Sequence, residues 1–432
     1  GKFQNMITFS NARVINPETG SEAMGSVTIK NGLIVDVEDQ GGGRTIDCKG
    51  ACLAPGIVDI GAKICEPGER HKESFRTASA AAISGGVTCL VTRPDTSPPI
   101  DSPEMLEFFL NRASNSANVK IFPMATLSKN LEGKEMSELG FMKDLGAIAF
   151  SEGLNYFSNT RDLFKILKYI KTLDVPFIGH PQEGTLSHGA VATTSPFALK
   201  MGLPQVPSIA EKIGLERDLA LISETKGQYH ADQVTTGPAI ETLRKYKALG
   251  LKVSAGTSIH HVSLNDLDIG PYRSFFKMTP PLRTETDRLA IIEGLKDGTI
   301  DIIGSFHTPQ DEESKRLPYE IAAPGAVGLE TLLCSALRLV QEKIFTLPEI
   351  FRFLSLNPAN IIGKPFGRIS AGAPADLIVF DPDEPFILNR FKLQSKSKNT
   401  PFDEQVMQGR VLMTFIDGKE VFKWGENATR FD

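Results

Sequence analysis

The two ends of the chain alternate in hydrophobicity, while its middle comes in pulses. Near the start, Ile7-Thr8-Phe9 and Arg13-Val14-Ile15 flank Ser10-Asn11, and Val27-Thr28-Ile29-Lys30 precedes Asn31-Gly32 and Leu33-Ile34-Val35. Asn-Gly between two such runs predicts a hairpin, because a type I′ turn needs positive φ at both central residues. From residue 56 onward eight apolar runs recur, near 57–60, 87–92, 119–125, 146–150, 175–180, 227–230, 251–256 and 300–305. Amphipathic stretches separate them, among them 72–84, 101–113, 161–173, 208–223, 238–248 and 286–297. Eight strand–helix units predict an α/β fold, a (β/α)8 barrel over 56–365, whose chemistry sits where strands end and loops begin. The tail turns β-rich again at Gly367-Arg368-Ile369, Ala375–Phe380 and Val411–Lys419. Pairing these with the opening strands predicts a small β-sandwich built from residues 1–55 and 366–432.

Composition narrows the setting. The 432 residues are 41% hydrophobic and 23% charged, the balance of a soluble globular protein. No apolar run approaches the roughly 20 residues needed to span a bilayer, so no membrane role is expected. No basic region followed by an apolar stretch marks a secretory signal. Five cysteines without CxxC pairs point to reduced thiols and the cytoplasm. A net charge of −5 gives no reason to expect nucleic-acid binding.

The motifs at the strand ends carry more. Pro55-Gly56-Ile57-Val58-Asp59 followed by Glu66-Pro67-Gly68, Lys277–Arg283, Gly325–Thr331, Asn357-Pro358-Ala359 and Ser395-Lys396-Ser397-Lys398-Asn399-Thr400-Pro401-Phe402 stand in one order along the chain. In that order and spacing the chain resembles the long-chain dihydroorotases of the amidohydrolase superfamily. The resemblance implies the amidohydrolase type of barrel and a metal centre of one or two zinc ions held by histidines and carboxylates. Zinc prefers such donors in near-tetrahedral array and makes hydroxide from water at neutral pH.

Set against the family's pattern, the donors are missing. Where the family has His-x-His and then an arginine on the first strand, this chain has Gly61, Lys63 and Cys65. Glycine offers no ligand, a lysine cation repels one, and the substrate-clamping arginine is lost. The family aspartate that acts as base after the eighth strand is Phe306, within Ser305-Phe306-His307-Thr308-Pro309-Gln310. Gln233 replaces a histidine after the sixth strand. His180 survives after the fifth, and Glu152 stands where the fourth strand carries aspartates. Asp95 replaces a pocket asparagine, so Cys65, Asp95 and His307 are the remnants of a substrate pocket. Without a metal, Lys63 is expected to pair with Glu152 or Asp95. His180 alone is expected to be a hydrogen-bonded pocket residue, His260 and His261 structural, and Cys65 a buried inert thiol.

Three functions fit this pattern. The first is a catalytically inactive dihydroorotase homologue of pyrimidine biosynthesis without zinc, acting as the structural partner of aspartate carbamoyltransferase and itself a homo-oligomer. The second is an active zinc dihydroorotase or related cyclic amidohydrolase with an unusual metal centre. The third is a pseudo-amidohydrolase binding module of another pathway; the Ser-Lys-Ser-Lys-Asn-Thr-Pro-Phe segment favours the first over the third. Metal content separates the first from the second, and binding to the transferase separates the first from the third.

Overall fold

A computed structural model describes residues 5–36 and 43–425. The outermost parts of both predicted sandwich halves, 1–4 and 426–432, and the segment 37–42 lie outside the described residues.

All eight expected barrel strands are present: Ile57–Ala62, Val87–Thr92, Lys120–Pro123, Phe150–Ser151, Phe177–Gly179, Tyr229–Ala231, Val253–Ser258 and Ile302–Gly304. They pair in parallel in chain order. A bridge from Ala125 to Phe150 joins the third strand to the fourth. The ring closes between the eighth strand and the first, where Lys63 N–H donates to His307 O at 2.9 Å and Asp59 accepts from Ser305 N–H at 2.8 Å. Asp59 is buried at the seam, so this bond is part of the closure.

The six expected helices fall within three residues of their predicted ends. Their starts are set by side chains that take up free backbone N–H groups. Ser74 and Thr77 form a capping box at Phe75–Ser84, Ser102 and a proline open Pro103–Ser116, and Asn159 caps Thr160–Leu173. A further helix, Leu332–Gln341, lies outside the six expected ones. Seven of its ten residues are buried.

The chain ends meet in one sheet. Strands Met6–Asn16, Ser21–Lys30, Leu33–Val35, Arg44–Asp47 and Cys52–Pro55 join Leu377–Ile387, Val406–Ile416 and Lys419–Lys423 in a continuous eight-stranded array. It curls until Ile34 N–H reaches Ala373 O and Ala375 N–H reaches Gly32 O. Phe9, Leu53, Leu377 and Phe415 are enclosed in its own core. The turn at Asn31 (φ 54°) and Gly32 (φ 79°) has the positive φ pair the hairpin needs. Ile7–Phe9 and Arg13–Ile15, the runs flanking Ser10-Asn11, belong to one strand, with a bulge between Phe9 and Ala12 and Asn11 at φ 52° absorbing the extra residue. Among the described residues no helix is long and apolar enough to cross a membrane.

Candidate functional site at the barrel mouth

The first strand is buried along its whole length and delivers Gly61 to the mouth. Gly61 adopts φ +116°, and a Cβ there would lie 2.7 Å from Cε1 of Phe306. Phe306, 9% exposed, holds the unusual φ of 45° for a non-glycine residue. Its ring also lies 3.0 Å from where Gly304 would carry a Cβ. The phenyl ring therefore fills the space between two glycines, on the first strand and on the eighth. The cavity beside the ring measures about 20 Å3 and is lined by Gln233, His260, His261, Phe306 and Thr308 among others. That volume holds about one water, against some 300–1,000 Å3 for a small-molecule pocket.

A guanidinium that sequence reasoning missed spans the same opening. Arg93, at the end of the second strand, is 3% exposed. It pairs with Asp95 through Nε–Oδ1 at 3.1 Å and Nη2–Oδ2 at 3.3 Å. Its Nη1 donates to Gly61 O at 3.1 Å and Thr308 Oγ1 at 2.8 Å. One side chain thus ties the ends of the first, second and eighth strands. Asp95 is held below the usual carboxylate range: burial opposes its charge, and the cations of Arg93 and then Lys63 outweigh it. The sequence signal was present as Arg93-Pro94-Asp95, two opposite charges two residues apart at a strand end.

The other candidates divide. Lys63 pairs with Glu69 at 3.7 Å, so neither expected partner receives its ion pair, although its charge reaches Asp95. Glu69 also bonds Lys72. Glu152 is taken up by the loop after the third strand: its carboxylate accepts from Leu127 N–H at 2.7 Å, Ser128 N–H at 3.0 Å and Ser128 Oγ at 2.5 Å. Burial pushes its pKa up to about 7. His180 Nδ1 lies 2.8 Å from Asp232 Oδ2, both residues buried, and Asp232 Oδ1 accepts from Gln233 N–H at 2.6 Å. Gln233 Nε2 is buried and without a partner. His307 turns outward from the mouth, 2.8 Å from Glu73 Oε2, while its Nδ1 accepts from Gly328 N–H at 3.1 Å. It is therefore a packing residue of the loop after the eighth strand. Cys65 is buried, and burial pushes its thiol up to about 12. His260 and His261 are buried, and burial lowers them to about 3 and about 4, so both are neutral.

These residues do not fit a catalytic zinc ion. Phe306 fills the space beside Gly61, Lys63 is cationic, Gln233 is an amide and His180 is engaged by Asp232. Among the described residues no three His, Cys, Asp or Glu side chains are grouped so as to hold a metal.

Residues 50–237 match the family described as Dihydro-orotase-like, and residues 158–421 match the Amidohydrolase family. A dihydroorotase of Syntrophus aciditrophicus is 35% identical over 96% of this chain and 99% of its own length. A dihydroorotase-like protein of Pseudomonas putida is 34% identical over 95% and 98%. In fold, an L-hydantoinase (dihydropyrimidinase) from Arthrobacter aurescens superposes with a TM-score of 0.88 at 23% identity, covering 98% of this chain and 97% of that one.

Proposed function

The chain belongs to the dihydroorotase-like amidohydrolase family, and on that premise we propose that it is a non-catalytic member of pyrimidine biosynthesis that serves as the structural partner of aspartate carbamoyltransferase. The observation that carries the first half is the Phe306 ring seated against Gly61. Family chemistry needs a metal, a base and a substrate clamp converging on one open space. Here the ring takes the space, Phe306 stands at the base position and Cys65 at the clamp position. Arg93, bound to Gly61, Asp95 and Thr308, holds the strand ends together without a metal.

The second half rests on the family's pathway and on chemical reasoning. A barrel that keeps its strands, helices and sheet without its reactive groups retains surface as its selectable property, and fold alone assigns no function. A stable interface would bury on the order of 1,200–2,000 Å2. Mixing the chain with aspartate carbamoyltransferase is expected to move both into one larger species in size-exclusion chromatography. Independent elution at micromolar concentration, with the transferase assembling fully alone, overturns the partnership.

A further inference from the structure

Outside the mouth, on the barrel flank, a cleft of about 780 Å3 opens between the loop that follows the first strand, the helices Phe75–Ser84 and Pro103–Ser116, and the segment 393–398. In a chain with a net charge of −5, it is lined by Arg70, Arg76, Arg112, Lys396 and Lys398 against one carboxylate, Glu66. That carboxylate is spent. Its Oε1 holds both Arg70 Nε at 3.1 Å and Arg112 Nη2 at 2.9 Å, and its Oε2 accepts from Phe75 N–H at 2.7 Å. Glu66 is itself 2% exposed. It therefore holds two mutually repelling guanidiniums side by side in the lining of the cleft.

Among the described residues the other three cations have no carboxylate in hydrogen-bond or salt-bridge contact. Lys396 Nζ bonds Arg70 O at 3.0 Å, and Lys398 Nζ bonds Leu393 O and Ser395 O at 2.6 Å each. Those carbonyl bonds fix the ammonium groups without neutralising them. Arg76 is exposed and makes no ion pair or hydrogen bond among the described residues. Converging fixed cations in a concave site favour a compact multivalent anion, and paired guanidiniums suit phosphate oxygens in particular. The volume is that of a small-molecule pocket rather than of a flat protein interface. No aromatic ring lines it, so it has nothing on which a nucleobase would stack.

We infer that this flank cleft binds a di- or triphosphate group, read through its phosphates rather than through a base. The test is calorimetric titration of the full chain with pyrophosphate, tripolyphosphate and ATP at physiological ionic strength. Saturable one-site binding is expected, with tripolyphosphate and ATP within about threefold of each other. Arg76→Glu is expected to weaken it at least tenfold. The remote exposed Lys245→Glu is expected to leave it unchanged. Arg76 is exposed and unbonded, so its variant should keep the parent's melting temperature, which is checked alongside. Absence of saturable heat up to about 5 mM overturns the inference, as does equal weakening by both variants, which would mean diffuse attraction. Binding of ATP without tripolyphosphate also overturns it. So does an Arg76→Glu variant that binds phosphate normally yet no longer co-elutes with the transferase, which would make the cleft a contact for an acidic protein surface.

Discussion

At Gly61 and Phe306 two departures from the family pattern turn out to be one. Glycine on the first strand reads, in sequence, as a lost ligand, and phenylalanine after the eighth as a lost base. In space the ring occupies the volume that any side chain at Gly61 would need. The chemistry of each position was legible from its residue type. Their contact was not, because they stand 245 positions apart (306 − 61) and only barrel closure brings them together. Coupling follows. Gly61→Ala is expected to cost about 2–4 kcal/mol, from overpacking and from positive φ. Phe306→Ala is expected to cost about 3 kcal/mol, from the cavity it leaves. Because the second change removes the clash of the first, the double variant should cost at least about 1 kcal/mol less than the sum. Urea unfolding of the four proteins measures it, and strict additivity would separate the two residues. Glu152 supplies a pH signature. Burial holds its folded pKa at about 7, above the ordinary glutamate value of 4.5, so its contribution is fully present below about pH 4.5 and is lost as pH rises through 7. Glu152→Gln keeps the acceptor for Leu127 and Ser128. Relative to the parent it should gain stability between pH 5 and pH 8, by at most about 3 kcal/mol. Thermal melts at the two pH values report the difference.

At the level of strands and loops, the mouth is held by polar ties between strand ends. Arg93 joins the first, second and eighth strands, His307 with Glu73 anchors the loop after the eighth, and Glu152 anchors the loop after the third. The strands themselves were readable because residues buried on both faces form short unbroken apolar runs. Helix starts were readable because Ser, Asn and Thr caps announce them. The ties were not, since a charged residue near a strand end has many partners within reach. Lys63 illustrates this: Asp95, after the neighbouring second strand, is near enough to feel its charge, yet the loop residue Glu69 takes the ion pair. Arg93→Met leaves Asp95 unpaired in a nearly closed site and is expected to cost about 3–5 kcal/mol. Adding Asp95→Asn removes the stranded charge and should recover a substantial part of that loss. Chemical denaturation of single and double variants decides it; no recovery would mean that Arg93 acts through Gly61 and Thr308 alone.

For the molecule as a whole, the family architecture is intact while the centre it was built around is closed. Both chain ends combine in one sheet, which the sequence signalled through its return to alternating strands after the last barrel helix. A partner surface carries no comparable signal, because an interface is only about as apolar as the surface around it. The sequence therefore marked the departures from the family's donor pattern more sharply than any partner surface. The central claim is that the mouth has lost its catalytic capacity, and dihydroorotate hydrolysis by the zinc-supplemented full chain tests it most directly. The rate is expected to equal that of buffer with zinc, with no stoichiometric metal retained after gel filtration. Zinc-dependent turnover that His180→Ala abolishes would contradict the account and place a working metal centre at the mouth.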